Sequence, residues 1–298
     1  MSRETVSTRP RRAIRERLVG RPVAGFFAVT CTFSWSLQAV AGLGRFGPLW
    51  TVFLVVVSIF GPAVGAVAVV RCSGTSLTQW VDRTIRQRVD RRLFVGAILL
   101  PVAFVLVHTA FLRVAGIATT LTIGVDSWMT FLANAVVVAL IGGGQEEFGW
   151  RGFALPHLQE QYSQLTATLT VGAMWTVWHL PVFYVLPSGV PTTGGSPLGF
   201  AAFTVALTGL FTVVYNAAGG SVAVTMLMHG CFNASGALYQ SHQRATVAGV
   251  QASELLKVPA VLSIVVVLLF ALRRWSPDRR RSVRWSRYRR AAPGSGTD

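Results

Sequence analysis

The sequence predicts an all-α fold, a polytopic transmembrane helical bundle of about eight spans, and three observations carry that prediction. The chain of 298 residues is 52% hydrophobic and only 13% charged, with a mean hydropathy of +0.53, whereas a soluble domain holds about 25% charged residues. Its apolar residues fall in runs of about 20, the length at which a helix spans a bilayer. Its basic residues cluster in short segments beside those runs.

The apolar runs are 23–43, 51–70, 93–112, 129–155, 166–186, 198–216, 221–240 and 258–272. They divide the chain into a basic N-terminal segment (1–22), a membrane domain (23–272) and a basic tail (273–298). In the first run, Ala39-Val40-Ala41 has the form of a signal-peptidase site. The apolar stretch before it is long and a multi-span body follows, so a retained first helix is expected. The loop Pro187–Pro197, rich in Pro, Gly, Ser and Thr, reads as an extracytoplasmic turn, and Ala217–Gly220 as a tight cytoplasmic one. No repeat, soluble domain or long linker interrupts the pattern.

A net charge of +16 invites a nucleic-acid reading, but the distribution argues against it. Seven arginines lie in residues 1–21, six in 71–92 and nine in 273–290, which accounts for 22 of the 27 basic residues. That clustering is what the positive-inside rule produces. It predicts a multi-pass protein of the cell membrane with both termini cytoplasmic, and no nucleic-acid partner. The tail, with Trp275, Trp285 and Tyr288 among its arginines, suits anionic lipid headgroups. The three cysteines, Cys31, Cys72 and Cys231, suggest neither a disulfide framework nor a metal knuckle.

Polar residues embedded in the apolar runs carry the chemistry. Gln145, Glu146, Glu147 and Arg151 follow Phe131–Ile141 and precede Phe153–Leu155. A charge at the bilayer centre costs about 2.5–3.5 kcal/mol on insertion scales, so such residues are rare without a function. Phe148, Trp150 and Phe153 predict that the helix continues through Gly142–Gly144 until Pro156 stops it. Glu147 and Arg151, four apart, share a helix face and pair. Glu146 points about 100° away, without that partner, and is free to act as a base. In the next run Trp175 and His179 share a face, and Pro181 is expected to break the helix and free carbonyls around the histidine. In the seventh run His229 and Asn233 present two hydrogen-bond donors from one face, which either bond another helix or form an oxyanion hole. His108 has no polar neighbour at helical spacing and reads as structural; His157 and His242 lie at span ends. Similar depths in three spans predict one shared cavity, opening toward the cytoplasm.

Glu146-Glu147-x-x-x-Arg151, Trp175-x-x-x-His179 and His229-x-x-x-Asn233 resemble, in order and internal spacing, the three motifs of the CPBP family of intramembrane glutamic endopeptidases. That family includes CAAX prenyl proteases of the Rce type, the Abi proteins and bacteriocin-immunity relatives. Tyr215-Asn216 and Gly219-Gly220-Ser221 are also similar, and the resemblance covers about residues 127–240. One departure is Trp175, where phenylalanine is usual. The resemblance implies a peptide-bond hydrolase with no cofactor. Glu146 and His179 would activate water, His229 and Asn233 would stabilise the oxyanion, and Glu147 and Arg151 would position Glu146. The implied partner is a peptide or membrane-protein substrate, a C-terminal tail among its forms. Two alternatives stand beside it: a zinc-dependent membrane protease in which Glu146, His179 and His229 are the ligands, and a non-catalytic immunity or scaffold protein. A transporter is disfavoured, because no second polar pathway crosses the runs.

Overall fold

The computed structural model describes residues 18–45, 47–186, 196–241, 246–247 and 250–275. Most of the basic tail, for which lipid headgroups were the expected partner, most of the basic N-terminal segment, most of the 187–197 loop and His242 lie outside the described residues.

Prolines at the first turn start five of the described helices, where the missing N–H costs nothing: α1 (Pro22–Gly42), α2 (Pro48–Ser58), α3 (Gly61–Cys72) and, later, α8 (Leu155–Gln159) and α10 (Pro197–Ala217). Between α3 and the next span lies the short α4 (Leu77–Ile85), whose buried Trp80 donates its indole N–H to the Gly152 carbonyl at 3.3 Å. The Asp90 side chain caps α5 (Arg91–Val114), accepting from the Arg92 N–H. After strand β1 (Thr119–Leu121) come α6 (Val125–Leu140), a 3₁₀ turn (Gly144–Glu146), the short α7 (Glu147–Gly149), a π-turn (Trp150–Ala154) and α8 (Leu155–Gln159). The remaining helices are α9 (Gln164–Tyr184), α11 (Val222–Ala234), α12 (Ala252–Leu255) and α13 (Lys257–Trp275). Strand β2 (Tyr239–Ser241) pairs antiparallel with β1, and β3 (Thr246–Val247) with β4 (Val250–Gln251).

The all-α membrane fold is borne out, and each of the eight apolar runs coincides with helix. Among the described residues, five helices are long and apolar enough to cross a membrane, or six if the bent pair α2–α3 (43°) is one span. The count of eight is therefore not reached on that measure. α9 is 21 residues long but diluted by threonines, Trp175, Trp178 and His179, and α11 with its 3₁₀ extension is short. Those two segments hold the histidine motifs.

Three details of the sequence reading are corrected. The fourth run is not one continuous helix: α6 ends at Leu140, and the chain breaks at Gly143, whose φ of +146° suits glycine. Nor does Pro156 stop the helix, because it sits in the first turn of α8, where a proline is tolerated. Likewise α9 is not broken at Pro181 and runs on to Tyr184.

The core packs around α11. Gly230 lets α11 lie directly against α6, since a Cβ there would be 2.2 Å from the Ala135 carbonyl oxygen. α1 packs on α3 and is tied to α9 by two indoles: Trp178 donates to Ser34 Oγ (2.8 Å) and Trp35 to the Trp178 carbonyl (3.0 Å).

Candidate active site

The break after α6 sets the position of the two glutamates. Gln145 closes the turn on itself, accepting the Gly143 N–H at Oε1 (3.0 Å) and donating to the Ile141 carbonyl (2.9 Å). The helix that restarts there carries Glu146 and Glu147, both buried.

The two carboxylates have different surroundings. Glu147 Oε1 accepts from Arg151 Nη1 at 3.0 Å, the pairing expected from the i,i+4 spacing, and both side chains are fully buried. The same oxygen lies 2.8 Å from His229 Nδ1. The Arg151 guanidinium is also flanked by aromatic faces, 4.5 Å from the Phe211 centroid and 4.9 Å from that of Trp175, which supplies cation–π attraction where water is excluded. Glu146 Oε2 instead accepts two indole N–H groups, from Trp175 at 2.9 Å and Trp150 at 3.3 Å.

The histidine tautomers follow from their partners. His179 Nδ1 lies 2.9 Å from the Trp175 carbonyl, which only accepts, so Nδ1 carries the proton and Nε2 offers a lone pair. His229 Nδ1 faces a carboxylate and is likewise the N–H donor, so its Nε2 carries a proton only when the ring is an imidazolium.

Glu146, His179, His229 and Asn233 line one cavity of about 540 Å³, while Glu147 and Arg151 lie behind its wall. The cavity gathers all three motifs, as the sequence predicts. His229 Nε2 and Asn233 Nδ2 converge beside Gly143: a Cβ on that glycine would lie 2.8 Å from the first and 3.3 Å from the second. Among the described residues, no group of three or more His, Cys, Asp or Glu is arranged to hold a metal ion.

The far end of the cavity carries two charged residues that the sequence reading did not single out. Glu254 Oε2 accepts from the Ser196 N–H (3.0 Å), and Lys257, the sole lysine, lies 5.5 Å over the Phe203 ring. Trp150 was also missed as a partner of Glu146, although its i+4 spacing from that glutamate was a usable signal. His108 is buried against the Ser253 carbonyl (2.8 Å) and stacked on Phe104, in agreement with a structural role. Cys231 is a buried free cysteine.

Contrary to the expected cytoplasmic mouth, the cavity does not lie toward the arginines of 71–92. Its lining draws on Leu186, Gly199, Tyr239, Glu254 and Lys257, which belong to the β1–β2 end of the bundle, opposite α4 and the arginines of 71–92.

A multi-pass helical bundle with a buried Glu/His/Asn cavity defines the class of protein. Residues 127–235 match the family model described as type II CAAX prenyl endopeptidase Rce1-like. The chain is also 36% identical over 59 residues to CAAX prenyl protease 2 of Methanococcus maripaludis, a match spanning 20% of this chain and 22% of that protein. The family resemblance drawn from the three motifs is thus borne out over the core that holds them.

Proposed function

We propose that the chain is an intramembrane endopeptidase that hydrolyses a peptide bond with water activated by Glu146 and His179. The observation that carries this reading is the separation of the two glutamates. Glu147 is bound to Arg151 and His229 behind the cavity wall, while Glu146 lines the cavity held only by indoles. A substrate peptide enters with its scissile carbonyl between Glu146 and the His229–Asn233 pair. Water bonded to Glu146 and to His179 Nε2 gives its proton to Glu146 as its oxygen attacks the carbonyl carbon. The resulting oxyanion accepts from Asn233 Nδ2 and from the Nε2–H of the His229 imidazolium. Glu146 then passes the proton to the amine nitrogen as the C–N bond breaks, leaving a carboxylic acid and an amine. The acid's remaining proton passes to the amine to give a carboxylate and an ammonium. The family match and the name of the relative support a CAAX-type peptide as the first substrate to assay, and the phenylalanines along the cavity suit apolar side chains.

The test is cleavage of a prenylated CAAX-ended peptide by purified protein in detergent, with a survey of membrane-protein fragments in cells beside it. Glu146→Gln, which keeps shape but removes the base, abolishes both, as does His179→Ala. Wild-type turnover by Glu146→Gln at normal expression overturns the mechanism, and no cleavage of any substrate by wild type favours the scaffold reading. The reaction also proceeds without stoichiometric metal. About one zinc per chain, with activity lost on chelation and restored by zinc, would withdraw the glutamic assignment.

A further inference from the structure

Trp175 touches four members of the candidate site. Its indole N–H donates to Glu146 Oε2 (2.9 Å), its carbonyl accepts from His179 Nδ1 (2.9 Å), and its ring faces the Arg151 guanidinium (4.9 Å). Its edge lies against the His229 ring, centroid to centroid 5.6 Å. Three of these four contacts need only an aromatic ring or a backbone carbonyl. The fourth, to Glu146, needs the indole nitrogen, which phenylalanine lacks.

We propose that Trp175, with Trp150 as a weaker second donor, is a positioning residue that holds the Glu146 carboxylate in its working orientation. The inference rests on the reading of Glu146 as the base. A carboxylate on a flexible side chain can present either oxygen and swing about its last bond. Two donors on Oε2, one from α9 and one from the helix that carries Glu146, fix that oxygen against the wall. Oε1, in a residue that lines the cavity, is left to meet water and substrate. Bonds from N–H groups to a charged acceptor are the stronger kind, and more so where water is excluded. Both indoles are themselves locked: Trp150 is fully buried, edge-on to Trp178 and Phe26, and Trp175 packs on Phe211. The donors therefore cannot follow a carboxylate that drifts.

Trp175→Phe isolates the bond, because it keeps the ring over Arg151, the edge on His229 and the carbonyl for His179. With the prenylated CAAX-ended peptide, kcat falls by on the order of tenfold to a hundredfold while KM stays within about twofold. Trp150→Phe, losing the longer bond, has a smaller effect in the same direction. A loss of packing alone would instead lower thermal stability and the yield of active protein at constant kcat per active site. A second measurement needs neither substrate nor a tryptophan variant. In the full chain labelled with ¹⁵N at the indoles, Glu146→Gln moves the Trp175 and Trp150 indole N–H resonances and leaves those of Trp80 and Trp178 in place, since these bond elsewhere. Unmoved Trp175 and Trp150 resonances overturn the inference. So does wild-type kcat in Trp175→Phe when Glu146→Gln is inactive, an outcome that leaves the glutamate mechanism standing. If Glu146→Gln itself turns over normally, the mechanism fails, whatever the resonances do.

Discussion

Glu147 Oε1 takes both the Arg151 and His229 contacts, while Oε2 and two of the guanidinium nitrogens have no hydrogen-bond partner among the described residues. Such a pair is intolerant of losing one member, because the survivor is a buried charge without compensation. Arg151→Ala is expected to cost about 3–5 kcal/mol of stability, read as a lowered midpoint in detergent unfolding. Arg151→Lys does not restore it, because a point ammonium cannot lie flat between the Trp175 and Phe211 rings as a planar guanidinium does. Asn233 behaves in the opposite way. It faces the cavity and forms no side-chain hydrogen bond among the described residues, so Asn233→Ala leaves unfolding unchanged and lowers kcat by about 10²–10³, the usual loss for one oxyanion donor. A destabilised Asn233→Ala with normal turnover would assign the residue to packing.

The sequence of short elements from Gly142 to Gln159 is where local structure yields to function. A straight helix through this stretch would offer the glutamates to whatever face the 3.6-residue period dictates. The glycine break, the Gln145 staple and the π-turn at Trp150–Ala154 change that phase. Both kinds of irregularity are common at functional sites. Gly143→Ala tests the break. The methyl group would press on His229 Nε2 and Asn233 Nδ2, and the left-handed φ would be strained. Activity is expected to fall at least as far as in Asn233→Ala, with the protein still assembled in the membrane. Activity equal to wild type would mean that the two donors do not act beside Gly143.

At the scale of the whole molecule, the arginines of 71–92 and the β1–β2 end, where Tyr239 lines the cavity, lie at opposite ends of α5. The positive-inside rule places residue 80 and the C-terminus in the cytoplasm, and reporter fusions at both points are expected to report that side. On the same orientation the β1–β2 end is extracytoplasmic, although the sequence alone suggested a cytoplasmic mouth. In a cysteine-free background, Gln240→Cys, exposed on β2 beside cavity-lining Tyr239, is expected to react with a membrane-impermeant maleimide added outside intact cells. Labelling only after lysis would reverse the orientation.

Much of this was readable from the residues alone. Runs of 20 apolar residues, the cost of a buried charge and the i,i+4 geometry are properties of a single segment. They were enough to yield the helical membrane class, six candidate site residues and the Glu147–Arg151 pair. Contacts between segments were not readable in this way. That His229 turns to Glu147, that two indoles converge on one oxygen of Glu146, and that Glu254 and Lys257 share its cavity are set by how α6, α9, α11 and α13 pack. The failed expectations have the same origin. Aromatic residues after Gly144 promised a continuous helix, but a φ of +146° at Gly143 costs a glycine little, and packing against α11 decided where the chain bends. Hydrophobicity acts along the chain and specifies which segments are buried; the directional bonds that single out Glu146 form only when separate helices are brought together in three dimensions.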